Sequence, residues 1–288
     1  MSPVTVVADS THTLPREVIA DYGISIVSLY VNWGGKHERE VELPDYDGFY
    51  EYLRTAAELP TTSQPSVGDF IAVYAPLLAE GKDIVSVHIS AGISGTWDSA
   101  RQAKQQLEDQ GKGGERIEVV DSGSAAGGLG CVVYSAAAAA RKGGDLAAVK
   151  EHAEATKEHL RIWFCVDTLE FLRRGGRIGG AQAWLGTALK IKPILTVERE
   201  ITPIERVRTA GRAFERMVEY LESQAQEGRD GWVVQHIRAP DVAERVVERG
   251  REIFATEPIF VTEIGPVLGA HVGPGLIGVG GIPKSFLE

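Results

Sequence analysis

The sequence has little cysteine, with only Cys131 and Cys165 among 288 residues and no CxxC spacing. Two distant cysteines do not make a disulfide framework, and without a CxxC pair the common zinc and redox motifs are absent as well. Cys131 lies in an apolar helical pattern and Cys165 in a strand pattern. Both thiols are therefore predicted to be buried and to act as small apolar side chains.

A hydrophobic run long enough to cross a bilayer is also missing. The longest apolar stretch, 125–140, has sixteen residues and consists mostly of alanine and glycine, whereas a membrane-spanning helix needs about 20 apolar residues. The first residues, MSPVTVVADS, contain no charged segment followed by an apolar one, which is the pattern of a secretory signal. The chain is therefore expected to be cytoplasmic.

Positive charge is scarce, because 30 lysines and arginines face 40 aspartates and glutamates, giving a net charge of −10. Duplex nucleic acid and anionic membranes both favour a basic face, so no nucleic acid is expected as a partner. Local basic patches leave room for a transient membrane contact. With 43% hydrophobic and 24% charged residues, the composition is that of a soluble globular protein.

Several catalytic motifs are absent too. The chain has no GxxxxGK[ST] loop, no protein-kinase signature and no HExxH pair. Ser94, His271 and Asp121 could in principle form a hydrolase triad, but the GxSxG elbow of such enzymes is missing. No catalytic residue, metal or cofactor is therefore predicted, and a serine hydrolase is the less favoured alternative.

What the first half does contain is an alternation of strand-like and helical segments. Short β-branched runs stand at 4–9, 24–33, 83–90 and 117–122, and helical patterns lie at about 14–22, 45–56, 67–80, 96–110 and 125–141. This alternation predicts a three-layer α/β domain, in which helices cover both faces of a parallel sheet. Ligands of such sheets bind at the carboxyl ends of the strands.

The second half, after a helix predicted at 145–160, mixes hairpin and crossover connections. Strand-like runs occur at 162–168, 191–197, 201–207, 232–237 and 258–264, and helical ones lie near 181–190 and at 209–226 and 240–254. This pattern predicts a two-layer α/β domain, with a mixed sheet and helices on one face. The expected division is an N-terminal domain at 1–155 and a C-terminal domain at 156–288.

Two polar turns, PTTSQPS at 60–66 and HISAGISGTWDSA at 88–100, are the most informative segments. Each precedes a predicted helix, so their hydroxyl groups are expected near helix N-termini, where free N–H groups and the helix dipole favour an anion. The alternative is that these side chains are ordinary helix caps. The candidate ligand-binding residues in the two turns are Thr62, Ser63, Ser94, Gly95 and Thr96.

Two further segments supply arginines and a histidine. FLRRGGRIGG at 171–180 places Arg174 and Arg177 around a glycine turn, where a guanidinium can bind a carboxylate or phosphate through two parallel hydrogen bonds. The alternative is that these arginines lie at a solvated helix end and bind no ligand. GPVLGAHVGPG at 265–275 holds His271 in what is expected to be a glycine-rich turn, where an imidazole can donate to an anion.

The chain resembles the DegV family, which contains the fatty-acid-binding subunits of the bacterial fatty acid kinase. The segments ADST, TSQPS, ISGTWDSA, DTLEFLRRGGRI and GPVLGAHVGPG occur in the same order as in that family, across nearly the whole chain. The resemblance implies a two-domain, DegV-like fold that holds one long-chain fatty acid. It implies that Thr62 and Ser94 bind the carboxylate, and that His271 with either Arg174 or Arg177 supports it.

Two departures from the family pattern bear on this expectation. The chain has Ser90-Ala91 where members often carry two serines, and it has Trp97 where another aromatic residue is usual. The first departure puts Ser90 in doubt as a ligand-binding residue, and the second is expected to reshape the mouth of the tunnel.

The resemblance also implies a role as a carrier rather than an enzyme. In the family a separate ATP-dependent kinase subunit phosphorylates the bound carboxylate, and the acyl phosphate enters phospholipid synthesis. The absence of a nucleotide-binding loop agrees with that division of labour. A protein that stores or senses fatty acid without a kinase is the alternative.

Binding of a fatty acid requires a long dry tunnel on physical grounds as well. Burial of a methylene is worth roughly 0.8 kcal/mol, so a chain of about sixteen carbons offers on the order of 12 kcal/mol before ordering costs. The alanine-rich helix at 125–141 can leave room for a tunnel beside Leu129, Val132 and Val133. Tight packing of that helix on the sheet is the alternative.

Overall fold

The structure, a computed structural model, describes residues 2–185 and 191–288. Its strands are β1 (Val4–Asp9), β2 (Ser25–Val27), β3 (Tyr30–Trp33), β4 (Lys36–Arg39), β5 (Thr61–Ser63), β6 (Asp83–His88), β7 (Ile117–Asp121), β8 (Arg161–Cys165), β9 (Lys192–Glu198), β10 (Glu200–Val207), β11 (Gly231–His236), β12 (Phe260–Glu263) and β13 (Ile277–Ile282). Its α-helices are α1 (Arg16–Tyr22), α2 (Asp47–Thr55), α3 (Val67–Ala79), α4 (Thr96–Asp109), α5 (Ala126–Arg141), α6 (Leu146–His159), α7 (Glu170–Arg174), α8 (Ala210–Gln226), α9 (Pro240–Phe254) and α10 (Pro266–Val272).

The first half is built on a four-stranded parallel sheet, in the order β2-β1-β6-β7. Alternate residues of a strand face opposite sides of a sheet. In β1, Val7 packs with Phe70 of α3 and Leu107 of α4, whereas Val6 and Ala8 belong to the core that contains α5 and α6. Helices therefore cover both faces, and the predicted three-layer arrangement is confirmed.

The second half is built on a six-stranded mixed sheet, in the order β10-β9-β8-β13-β11-β12. Only β11 and β12 run parallel, and the other neighbours are antiparallel. Helices α8 and α9 cover one face, with Trp232 and Met217 at the centre of that core. On the other face, Ile162 and Val233 share a core with α5 of the first half. The mixed sheet is confirmed, and α5 lies between the two sheets.

The predicted strand at 24–33 proves to be two strands in different sheets. After β2 the chain bends at Ser28, and β3 pairs antiparallel with β4 and β5 in a small three-stranded sheet. At the bend, the backbone N–H of Leu29 donates to Ser10 Oγ instead of a neighbouring strand. A continuous apolar pattern does not show where a strand changes sheets, because both parts are buried on one side.

The expectation that Thr62 and Ser63 lie at a helix N-terminus is wrong. Both residues are in β5, where Thr62 pairs with Val31 and Ser63 with Tyr30. Helix α3 begins only at Val67, and its N-cap is Ser66. The segment is short and polar, so its strand character depends on pairing with β3, which local sequence does not reveal.

The glycine-rich tail differs most from expectation. His271 lies in the last turn of helix α10 rather than in a glycine-rich turn, and residues 277–282, for which no strand was predicted, form β13 in the middle of the mixed sheet. A Cβ at Gly280 would lie 2.0 Å from Ile162 Cδ1, so the glycines of β13 make room for neighbouring side chains. A strand rich in glycine is difficult to predict from sequence, because glycine has no side chain to contribute to an alternating hydrophobic pattern.

The helix predicted near 181–190 lies partly outside the described residues, which end at 185 and resume at 191. The described part is a 3-10 helix, Gly179–Trp184. The hairpin at 191–207 is present as β9 and β10, with Arg199 at a positive φ of 67° between them. The division into domains at 1–155 and 156–288 stays a prediction. Among the described residues, no helix combines the length and the apolar character needed to cross a membrane.

Candidate ligand-binding site

A cavity of about 280 Å³ lies between the two halves of the chain. Apolar side chains from the mixed sheet, from loops that follow strands of the parallel sheet and from α10 line most of it, among them Leu29, Ile89, Ile162, Phe164, Val197 and Val267. The volume is close to the lower end of the roughly 300–1,000 Å³ typical of small-molecule sites. A mostly apolar cavity of this kind suits a hydrocarbon ligand.

Polar side chains from distant parts of the sequence meet in the lining of this cavity. Strand β5 contributes Thr62 and Ser63, the loop before α4 contributes Ser94, and α10 contributes His271. Thr62 Oγ1 lies 2.7 Å from His271 Nε2. The structure thus brings together four of the residues singled out in the sequence, and a carboxylate beside them would find hydroxyl donors.

The other two residues of the second turn stand slightly apart. Thr96 is fully buried and its Oγ1 lies 2.9 Å from Ser94 Oγ, so it supports Ser94 rather than lining the cavity. Gly95 lines an adjoining hollow of about 470 Å³ that shares Ser94 with the cavity. A Cβ at position 95 would lie 2.5 Å from the side chain of Gln64, so glycine permits close packing there.

The structure distinguishes between the two candidate arginines. Arg177 lines both the cavity and the adjoining hollow, and its Nη1 donates to the carbonyl oxygen of Gly175 at 2.7 Å. Both arginines are exposed, but Arg174, on α7, lines neither. Arg177 is therefore the arginine that can face a ligand.

His271 is held in its neutral form. Burial, together with the positive charge of Arg177, lowers the pKa of its imidazole to about 4. Among the described residues its Nδ1 has no hydrogen-bond partner. A neutral ring whose Nε2–H donates to Thr62 leaves the Thr62 hydroxyl hydrogen free to donate to an anion.

Helix α10, which carries His271, is fixed by two residues that the sequence patterns did not reveal. Glu40 Oε1 accepts from the Val267 N–H at 2.9 Å, and its Oε2 accepts from Ser10 Oγ at 2.6 Å. The Tyr50 hydroxyl donates to the carbonyl oxygen of Ile264 at 2.6 Å. Burial raises the pKa of Glu40 to about 7, although its hydrogen bonds to Ser10 and Val267 oppose this rise.

The hydrolase triad considered for Ser94, His271 and Asp121 does not assemble. His271 contacts Thr62, Ser94 contacts Thr96, and Asp121 Oδ1 accepts from the backbone N–H groups of residues 91 and 123. These separate contacts remove the geometric basis for a serine hydrolase at this site.

A second hydroxyl, imidazole and carboxylate series exists in the core of the first half. Ser86 Oγ lies 2.7 Å from His88 Nε2, and His88 Nδ1 lies 3.2 Å from Asp9 Oδ2. All three residues are fully buried, and Tyr74 covers the serine hydroxyl by donating to it. None of them lines the cavity, so this network is structural.

The alanine-rich helix α5 was expected to border the ligand tunnel, and only the start of the helix does so. Ala125 and Ala126 line the cavity, whereas Leu129, Val132 and Val133 are fully buried in the core between the sheets. For those three residues the alternative, tight packing, is correct. Ser90 is also fully buried, with its hydroxyl donating to the Arg199 carbonyl oxygen at 2.6 Å, and Trp97 is not among the lining residues.

Two glutamines in the lining were missed in the sequence. Gln64 follows Ser63 directly, and its Nε2 donates to Ser99 Oγ at 3.3 Å. Gln235 lies in the apolar strand β11, at a position that faces the cavity. The sequence signal that could have revealed Gln235 is a polar residue at an inward-facing position of an apolar strand.

Comparison with known proteins agrees with this architecture. A family model described as "Uncharacterised protein, DegV family" matches residues 3–284. A DegV domain-containing protein from Clostridium acetobutylicum is 38% identical over 278 residues, which cover 96% of each chain.

Two solved structures are similar to the chain over nearly their whole lengths. A fatty-acid-binding DegV family protein from Thermus thermophilus has a TM-score of 0.87 at 35% identity, covering 97% of this chain and 99% of its own. DegV from Bacillus subtilis, a fatty acid binding protein, has a TM-score of 0.87 at 32% identity, covering 98% and 100%.

Proposed function

The chain belongs to the DegV family, and from this premise we propose that it binds one long-chain fatty acid in the cavity between its halves. In this proposal it presents the carboxylate to a separate ATP-dependent kinase. The observation that carries the proposal is the meeting of Thr62, Ser94, Arg177 and His271 in the lining of an otherwise mostly apolar cavity. The fatty-acid-binding relatives support the choice of ligand.

The geometry supplies what each part of a fatty acid needs. The hydrocarbon chain leaves water for an apolar lining, at roughly 0.8 kcal/mol for each methylene. The carboxylate must keep its hydrogen bonds on burial, and the hydroxyls of Thr62 and Ser94 can donate them. Arg177 adds a positive charge beside them, while the neutral His271 orients the hydroxyl of Thr62.

The adjoining hollow suggests how a kinase could reach the carboxylate. Its lining contains four glycines and Glu200, and it shares Ser94 and Arg177 with the cavity, so a phosphoryl donor there would meet the polar end of the ligand. A carboxylate oxygen would form a bond to the γ-phosphorus of ATP as the bond to ADP breaks. We assign this chain the role of carrier in the cytoplasm, with transient membrane contact for exchange of its ligand and the acyl phosphate passing to phospholipid synthesis.

Protein purified from a bacterial host should retain fatty acid, because an apolar cavity favours an apolar ligand over water. Organic extraction under denaturing conditions, followed by mass spectrometry, should release about one acid per chain. Ile93→Trp should lower that yield, since Ile93 lies where the cavity meets the adjoining hollow. Val41→Trp, at an exposed position outside the cavity, serves as the control. Recovery of a nucleotide, a sugar phosphate or no ligand would refute the proposal.

Removal of either hydroxyl should weaken binding about tenfold or more, because a hydrogen bond to a charged group is worth about 1.5–3 kcal/mol. The variants are Thr62→Val and Ser94→Ala, and direct titration with a fatty acid gives the affinity. Thr61→Ala is the matched control, because Thr61 is the exposed neighbour of Thr62 in β5 and does not line the cavity. Normal affinity in both variants would leave these hydroxyls with structural roles only.

A further inference from the structure

Gln235 is a polar residue in a cavity lining that is mostly apolar. It lies on β11, is only 2% exposed and is one of the residues that line the cavity. In the sheet it pairs with Gly278 of β13, which in turn pairs with Phe164 of β8. Phe164 lines the cavity too, so this row of three residues forms part of its floor.

Two glycines make room for the Gln235 side chain. A Cβ at Gly278 would lie 2.8 Å from Gln235 Nε2, and a Cβ at Gly127 would lie 2.9 Å from its Oε1. The backbone N–H of Gly127 donates to Oε1 at 2.7 Å. This hydrogen bond fixes which end of the amide is oxygen, because only the oxygen can accept from an N–H group.

The other end of the amide is a donor without an acceptor. Among residues 2–185 and 191–288, the structure gives Gln235 Nε2 no hydrogen-bond acceptor. The side-chain oxygen of Gln235 is needed because it accepts from the N–H of Gly127, in the first turn of α5. This contact does not explain why the side chain also carries an NH₂ group. Nε2 keeps some surface open to the cavity, and a hydrocarbon chain packed against it would exclude water without supplying an acceptor. A ligand that accepts a hydrogen bond there therefore gains affinity over one that does not.

We infer that Gln235 selects fatty acids that carry an oxygen function, a hydroxyl or oxo group, within the hydrocarbon chain. This inference rests on the proposed binding of a fatty acid in the same cavity. A saturated chain leaves Nε2 unpaired, whereas a chain oxygen at the right carbon accepts from it. A cis double bond is a much weaker acceptor and has a correspondingly smaller effect.

The test is a titration of the protein, after removal of bound lipid, with octadecanoic acid and with isomers that carry one hydroxyl at successive carbons. For wild-type protein, one position should give the highest affinity relative to octadecanoic acid. In Gln235→Met, which keeps the size of the side chain, the ratio of the affinity for that hydroxy acid to the affinity for octadecanoic acid should fall about five- to tenfold. The variant also leaves the Gly127 N–H without its acceptor, but this loss affects both ligands and cancels in the ratio.

Gln224→Met is the matched control, because Gln224 is equally buried on α8 and does not line the cavity. If Gln235→Met fails to fold, the side-chain amide signal of Gln235 in ¹⁵N-labelled wild-type protein should shift with the favoured hydroxy acid and not with octadecanoic acid. An unchanged ratio in the variant, or the same amide signal with both acids, overturns the inference alone. Absence of binding by every acid overturns the proposed function as well.

Discussion

Replacing His271 with alanine should lower acyl-phosphate formation about a hundredfold, the usual loss when one preorganised donor is removed from a reacting site. Fatty-acid affinity should stay within several-fold of wild type. The reason lies in the contact of His271 with Thr62 rather than with a charged group. In the proposed function, the imidazole fixes the direction of a hydroxyl that holds the carboxylate in line with the phosphoryl donor. Ser94 and Arg177, which also line the cavity, would still hold the acid in the variant.

The measurement is a reconstituted assay with the cognate kinase, ATP and a fatty acid, run beside a direct binding assay. His271→Gln should recover part of the activity, since its amide can place a donor near the former Nε2. Arg177→Ala should weaken binding of the acid, whereas its control Arg174→Ala should not, because of these two arginines only Arg177 lines the cavity. Equal loss of binding and turnover in His271→Ala would place His271 among the groups that hold the acid. Bound acid with no phosphoryl transfer, even in wild type, would favour storage or sensing.

The second large effect concerns Glu40 and pH. A carboxyl group whose pKa is raised on folding, here to about 7, stabilises the fold most when it is protonated. Its contribution is fully present below the pKa of the unfolded chain, near 4.5, and is lost as the pH rises through 7. The stability of Glu40→Gln relative to wild type should therefore rise by about 2–3 kcal/mol between about pH 5 and about pH 8.

Denaturant unfolding of both proteins across this pH range gives the comparison. The difference between the two proteins isolates Glu40, because other titrating groups are common to both. His12 and His271 are such groups, and burial lowers the pKa of each to about 4. Their contribution has the opposite sign, since it is present above pH 6.5 and is lost as the pH falls through 4. A difference that is constant with pH would show that Glu40 titrates normally.

The alternation of strands and helices made the fold predictable from the sequence. Hydrophobic periodicity reports which side of a segment is buried, and it was sufficient for the parallel sheet and for the hairpin of β9 and β10. It did not report β13, because the glycines at 278, 280 and 281 have no side chains to show a pattern. It also did not show that 24–33 divides between two sheets, which depends on a tertiary contact between Leu29 and Ser10.

Sequence motifs predicted some residues of the candidate site. Residues that depend on contacts between distant parts of the chain could not be predicted in this way. Thr62 and Ser94 stood in polar turns and His271 in a glycine-rich segment, and the structure places all three in the lining of the cavity. The choice between Arg174 and Arg177 required the path of the chain after α7. Glu40 could not be found at all, because its partner Val267 is 227 residues away in the sequence.

The position of β13 has a consequence for how the protein acquires its shape during synthesis. It is the last strand in chain order, yet it lies between β8 and β11. Until it emerges from the ribosome, the strands on its two sides have no common partner, whereas the parallel sheet is already complete in sequence. The N-terminal half can therefore fold first. The binding cavity, whose floor includes residues that pair with β13, can form only when the rest of the chain has been made.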